Sequence, residues 1–474
     1  MTAPEHLTIS GPEDILGYIP HSLGYWPTQS LVAMTMQGMR LGATLRVDLP
    51  EGGGRRGREA FARTVAEYLL ADKEADGTLL VFFTDGGFSD DGFDDGGRKG
   101  AAAWSFRPLL ADLECALGLA GMPVRDGWRV GDEYWRNVYC TDSSCCPPPG
   151  RPIAEIRDSR LNAEMVYLGS SVGASPGAAL PGNANTPAAE DAAVTAAERG
   201  WTLALAGKAN QLAQFDAVLD AWAAVLEAAP PAYPEGSVPG RAGVLAARPL
   251  SGVPGGGLEP ELAGFLRASL RVPAWRDAVL VMAAAGRAAA AAGAEAFGIF
   301  SAGEGLPASC PPLPEPQLSP SGLAGPATDA RETSAVPGTE QAGDRSEQGT
   351  ATGCPEQAPV SSSGRDALPG YGEVLLGLSP PVPDWDTLKR LEGLMVELSC
   401  GGGEAQAAAL TATGWIEWCR GRGSFAHASL SRALEASPGY RLAELLSEVV
   451  RRGTICGWAG RREAAWQKFG SDVA

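Results

Sequence analysis

Apolar and polar positions alternate along the first 170 residues in a way that separates helices from strands. The segment PEDILGYIP predicts a short helix with Pro12 in its first turn and Pro20 at its end. SLVAMTM has the β-branched, apolar character of a strand. After a turn at Gly38, ATLRVDLP alternates Leu45, Val47 and Leu49 with polar partners, which predicts a second strand. Phe61, Val65, Tyr68 and Leu69 fall on one face of a helix expected from Glu59 to Ala71. The run Thr78 to Phe83 is apolar throughout, as a strand buried on both faces would be. A helix over Trp104–Leu119 and a hairpin over Gly127–Cys140 follow. Strand, helix and buried strand in that order predict an α/β domain with a mixed or mainly parallel sheet and flanking helices over 1–170.

Beyond that point the period becomes helical. Region 171–300 predicts a mainly helical part with Gly/Pro loops, with helices from about Pro187 to Ala228 (divided near Gly207), over Glu261–Leu270 and over Ala274–Ala292. Region 301–370 has almost no large apolar residue and is expected to be a disordered Pro/Ser/Gly-rich linker, because it cannot bury enough surface to offset chain entropy. Region 371–474 predicts a helical tail. Within it Gly414, Gly421, Ala426, Leu430, Ala433 and Pro438 sit at the offsets of a tetratricopeptide-like helical hairpin, followed by a helix over Tyr440–Arg452. A single such unit must dock on the rest of the chain or on a protein partner.

The net charge of −18 argues against nucleic acid and against an anionic membrane surface as partners. The first residues lack the pattern of a signal peptide, and the apolar stretch Ala278–Phe300 is interrupted by Arg287 and Glu295. A cytoplasmic location is therefore expected. In a reducing compartment the nine cysteines read as thiols or metal ligands before disulfides.

Three of those cysteines, Cys140, Cys145 and Cys146, crowd into YWRNVYCTDSSCCPPPG. They are the candidate metal ligands, with zinc as the ion that thiolates suggest. The spacing is not a CxxC knuckle, and an adjacent pair does not easily direct both sulfurs at one ion. A fourth ligand would have to come from Cys115, His21 or Asp142. A reactive thiol and buried structural cysteines are the alternatives. Other stretches carry weaker chemistry. Gly52 to Gly57 nearly fits a phosphate loop, but Arg58 and Glu59 replace its lysine and hydroxyl, which leaves an exposed turn. The acidic run 85–95 lacks calcium-ligand spacing and reads as a solvated loop. His21 lies near Ser22 and Ser30, yet no GxSxG turn accompanies it, so it reads as a loop histidine bonded to backbone. Arg276 and Asp277 read as a helix-opening pair in which the arginine meets a carboxylate, and His427 as a surface residue.

The segments PEDILGYIPHSLGYWPTQSLV, TLRVDLP, the strand ending Phe83-Thr84-Asp85, and C-TDSS-CCPPPG together resemble the actinobacterial domain-of-unknown-function family 4192. Arg276-Asp277 and the tail from Ala407 through Leu446 resemble that family's C-terminal half. The acidic run after Asp85 and the long insert depart from its pattern. The resemblance implies a cytoplasmic actinobacterial protein in which the three cysteines are a family feature, and it supplies no catalytic residue. The expected function is a non-enzymatic interaction or regulatory protein. The alternative is a metal- or thiol-dependent enzyme centred on Cys140, Cys145 and Cys146.

Overall fold

The computed structural model describes residues 9–50, 54–84, 106–177, 188–228, 258–300, 311–313 and 368–467. The acidic run 85–95 and nearly all of the 301–370 linker lie outside them.

In chain order the first part contains α1 (Pro12–Leu23), β1 (Ser30–Gln37), β2 (Arg40–Asp48), α2 (Gly54–Leu69), β3 (Gly77–Phe83), α3 (Phe106–Leu119), β4 (Val124–Val130), β5 (Tyr134–Asn137), β6 (Arg151–Pro152), α4 (Ala154–Arg157) and α5 (Arg160–Tyr167). The strands form one sheet in the order β2-β1-β3-β4-β5-β6. Only β3 and β4 run parallel, and every other neighbouring pair is antiparallel. The sheet is thus mixed, not mainly parallel. The reason lies in the β2–α2–β3 connection, which passes over β1 and leaves it antiparallel between two strands of like direction.

Period-two alternation sends side chains to two cores. Leu31, Ala33, Leu80 and Phe82 pack with α2 and α3 through Val65, Leu69, Leu109 and Leu113. Val32, Met34, Val81 and Phe83 face the other way, toward Leu16 and Ile19 of α1 and Ile156 of α4. All seven residues of β3 are buried, as its unbroken apolar run predicts.

Two local expectations need correction. Pro20 lies inside α1 and does not end it; the helix continues to Leu23 and stops at Gly24, whose φ of 86° lets its N–H reach the Pro20 carbonyl at 2.8 Å. With less than a turn left after Pro20, little helix is exposed to the disruption a proline causes, and burial of Ile19 and His21 holds the end in place. The glycine-rich stretch expected as a turn is already helical from Gly54, so Arg55 to Glu59 belong to the first turns of α2. There Arg55 and Glu59 form an exposed (i, i+4) ion pair, a small local support for the first turns.

The remaining elements are helices: α6 (Ala188–Leu205), α7 (Leu212–Ala228), α8 (Pro260–Leu270), α9 (Pro273–Ala285), α10 (Arg287–Ala296), α11 (Tyr371–Leu375), α12 (Trp385–Leu398), α13 (Gly403–Cys419), α14 (Gly423–Ala436) and α15 (Arg441–Arg451). The single helix expected over Ala274–Ala292 is two, because Gly286 at φ 86° breaks the ladder. Helices on both sides of the linker share one core, which includes Trp222, Trp275, Trp415 and Trp458. α13 is buried from Ala405 to Cys419. It packs closely on α14 because Gly414 has no side chain where Leu430 approaches; a Cβ there would lie 2.8 Å from the leucine Cγ.

Candidate metal centre

The cysteine segment connects two neighbouring strands, β5 and β6, which pair through Tyr134 with Pro152 and Trp135 with Arg151. Side-chain hydrogen bonds shape its turns. Asn137, at the end of β5, donates from Nδ2 to Asp126 and accepts the N–H groups of Tyr139 and Cys140 at 2.8 and 3.0 Å. Asp142 repeats the device: its carboxylate accepts from the N–H and hydroxyl of Ser144. Its carbonyl accepts the N–H groups of both Cys145 and Cys146, which folds the adjacent pair back toward Cys140. The Cys140 thiol donates to that same carbonyl at 3.8 Å. Gly150 closes the segment against the Trp135 carbonyl, where a Cβ would come within 2.8 Å of the oxygen.

As a result the Sγ atoms of Cys140, Cys145 and Cys146 all lie within 4.8 Å of one another. The sequence objection to an adjacent pair fails here, because the tight turn at Asp142 points both sulfurs to one side. Around zinc at about 2.3 Å, tetrahedral sulfurs stand roughly 3.8 Å apart, so these three need close by no more than about 1 Å. The group runs from buried Cys146 through half-buried Cys140 to exposed Cys145.

Electrostatics within the trio are unequal. The Cys140 thiol is held below its ordinary value, first by a backbone hydrogen bond at Asp142 and then by the Cys146 and Cys145 thiols. Cys145 is pushed up, chiefly because it is hydrogen-bonded to Cys140, with further repulsion from Cys146. Loss of the proton is thus easier at Cys140 than at Cys145, and a bound cation would displace the thiol protons.

Among the described residues no further histidine, cysteine or carboxylate joins this group. Asp142 is occupied within its own turn, and Cys115 is an exposed residue of α3. His21 is not in a loop, and two side chains are hydrogen-bonded to its ring. It is a buried residue of α1, with Nδ1 2.9 Å from Ser170 Oγ and Nε2 2.8 Å from Asn162 Oδ1. Ser22 and Ser30 are not these partners. Nothing in the local sequence indicates Asn162 or Ser170; the only trace is a polar face on α1 made by Asp14, Gly17 and His21 at helical spacing.

Arg276 and Asp277 lie in the first turns of α9, as expected, and the carboxylate that Arg276 meets is that of Asp277, at 2.7 Å. Arg276 also donates to the Tyr440 hydroxyl at 2.6 Å, joining α9 to the start of α15. His427 is exposed on α14. A buried cluster that the sequence does not single out ties α12 to the end of α13: Arg420 contacts Glu392 at 2.7 Å and Glu417 at 3.3 Å, and Arg422 contacts Glu417 at 3.2 Å.

Among the described residues no helix is long and apolar enough to cross a membrane. No curated protein and no solved structure matches the chain. Residues 12–296 and 389–455 match the family described as Domain of unknown function (DUF4192), a span that takes in the sheet, the cysteine turn and helices on both sides of the linker. The chain therefore belongs to the DUF4192 family.

Proposed function

We propose that Cys140, Cys145 and Cys146 bind a thiophilic cation, with zinc as the ion that best suits three thiolates. The observation that carries this reading is the convergence of the three sulfurs within 4.8 Å on a turn built by Asp142. Such an ion would tie the β5–β6 connection together. Its fourth position would go to a non-protein ligand or to a residue outside those described. Keeping the thiols reduced suits a cytoplasmic location, and the acidic chain suits neither nucleic acid nor membrane as a partner.

The test is elemental analysis of protein purified without oxygen or chelator. About one equivalent of zinc per chain is expected, lost in Cys145→Ser. X-ray absorption then separates the two roles: an oxygen neighbour beside three sulfurs marks a centre open to substrate, and a fully protein-ligated ion marks a structural tie. A parent protein that neither carries nor takes up zinc would sink the metal reading.

A second reading, a regulatory protein whose tetratricopeptide-like tail holds a protein partner, is favoured by the α11–α12 connector. There Leu376, Leu378 and Val382 are each about half exposed. The inner surface of the hairpin is taken up by the chain's own helices, so a partner would meet this connector or the outer faces of α14 and α15. Replacing Leu376 and Leu378 by serine should then abolish association with the partner while leaving the fold unchanged by circular dichroism.

A further inference from the structure

The α1–α5 junction is built around a chain of three polar side chains. Gly17 lets the start of α5 approach α1; a Cβ at that position would lie 2.9 Å from Ser159 Oγ and 3.3 Å from the Ile156 carbonyl. Asp14 accepts the Leu161 N–H at 3.2 Å, and Ser159 caps the helix by accepting from Asn162 N–H. These contacts set Asn162 against His21, one turn beyond Gly17 on the same face of α1. At the other end of α5, Gly169 at φ 86° reverses the chain. The Ser170 N–H then bonds the Met165 carbonyl at 2.9 Å, and the serine hydroxyl meets the other nitrogen of the same imidazole.

The hydrogen-bond partners fix the direction of the chain. Asn162 Nδ2 donates to the Arg157 carbonyl at 2.6 Å, so its Oδ1, which can only accept, faces His21. Nε2 must therefore carry the ring proton. In the uncharged ring Nδ1 is then a lone pair, and the Ser170 hydroxyl donates to it. This is the tautomer that a base needs in order to take a proton from a nucleophile, with a third group holding the ring. His21 is 1% exposed, Ser170 6% and Asn162 half-buried, so the ring is the most enclosed member of the chain and both ends lie nearer the surface. Small residues flank it: Gly169, Ser171, Gly173 and Ala174.

We propose that Ser170, His21 and Asn162 form a nucleophile, base and positioning residue for acyl transfer from a small carboxylic ester. As Ser170 Oγ bonds to the acyl carbon, its proton passes to His21 Nδ1. The tetrahedral adduct collapses, the ester C–O bond breaks, and the departing alkoxide takes that proton to leave as the alcohol. Water then repeats the sequence on the acyl-serine, releasing the carboxylic acid and restoring the hydroxyl. Asn162 accepts from Nε2–H throughout and keeps the ring oriented. The assignment uses none of the cysteines and stands or falls separately from the metal reading.

The test is exposure of the intact folded chain to an alkyl fluorophosphonate, with the adduct located by peptide mass mapping. A single adduct on Ser170 is expected, together with hydrolysis of p-nitrophenyl acetate that Ser170→Ala abolishes. Asn162→Ala should slow the saturated labelling rate by about 100-fold and leave the half-saturating reagent concentration unchanged. The mapping on the parent protein needs no variant to fold. A folded chain with no adduct on Ser170, or one labelled there only after denaturation, would make the triad a structural clasp and overturn the proposal. So would equal labelling rates in parent and Asn162→Ala.

Discussion

Glu417 shows how one buried carboxylate can set a pH dependence. Burial, added to by the neighbouring charge of Glu392 and opposed by Arg422 and Arg420, pushes its carboxyl up to about 8. In the unfolded chain the same group titrates near the ordinary glutamate value. Between about pH 4.5 and 8 the folded state therefore holds a proton that the unfolded state has released, and stability falls as pH rises through that window. Glu392 has the opposite sign: the arginines outweigh its burial and hold it low, so its contribution is lost only as pH falls below the usual carboxylate range. Denaturant melts from pH 5 to 8 should show the parent losing stability and Glu417→Gln markedly less sensitive; equal slopes would refute the assignment. None of this is legible in the sequence, where Glu417 looks like a surface residue of a helix. Its burial depends on α12, α13 and the Arg422 turn meeting in space. The cysteines are the contrary case. Their closeness in sequence announces a site, but the convergence of their sulfurs rests on the Asp142 hydrogen bonds, which spacing alone does not reveal.

Helix contacts in this protein rely on missing side chains. Gly264, midway along α8, lies against α6 so closely that a Cβ would come 2.5 Å from Ala197 Cβ and 2.6 Å from the Glu198 backbone nitrogen. The backbone cannot rotate out of the way, so Gly264→Ala should cost about 2–3 kcal/mol by forcing the helices apart. Gly393 on α12 is the matched control, since nothing lies within 4 Å of its Cβ position. There alanine should stabilise by about 0.5–1 kcal/mol, because only helix propensity changes. Thermal melts of the two variants should move in opposite directions. The same packing explains which elements the sequence reveals. β3 is evident because its apolar run is unbroken, and α1 and the β4–β5 hairpin because turn residues bracket them. α13 is buried all round although Gln406, Thr411, Thr413 and Glu417 lie along it, so its pattern gives a helix but no face, and its central place emerges only from the packing.

Between the sheet and the helical body the described contacts are few and local. Tyr25 stacks edge-on with Phe425 and donates to Ser424; Tyr68 donates to the Arg452 carbonyl; and Glu74 pairs with Arg462. Exposed ion pairs of the last kind contribute little. We expect two transitions in calorimetry, one for the sheet and one for the helices, with no loss of either when Glu74 is changed to glutamine. A single transition whose calorimetric and van't Hoff enthalpies agree would contradict that division. The helical body itself behaves otherwise, because its two sequence halves interlock. Arg267 of α8, 1% exposed on its side chain, binds Glu198 of α6 and the carbonyls of Leu398, Cys400 and Gly402. On the far side of the linker the chain re-enters where it left. The Tyr371 ring lies 5.7 Å from that of Phe297, and its hydroxyl reaches the Ala290 carbonyl. Departure and return at one spot mean that the intervening residues need not bridge any span. The gene could be divided within that stretch, and the two polypeptides, expressed together, would carry in their own side chains the information needed to find each other and rebuild the same body.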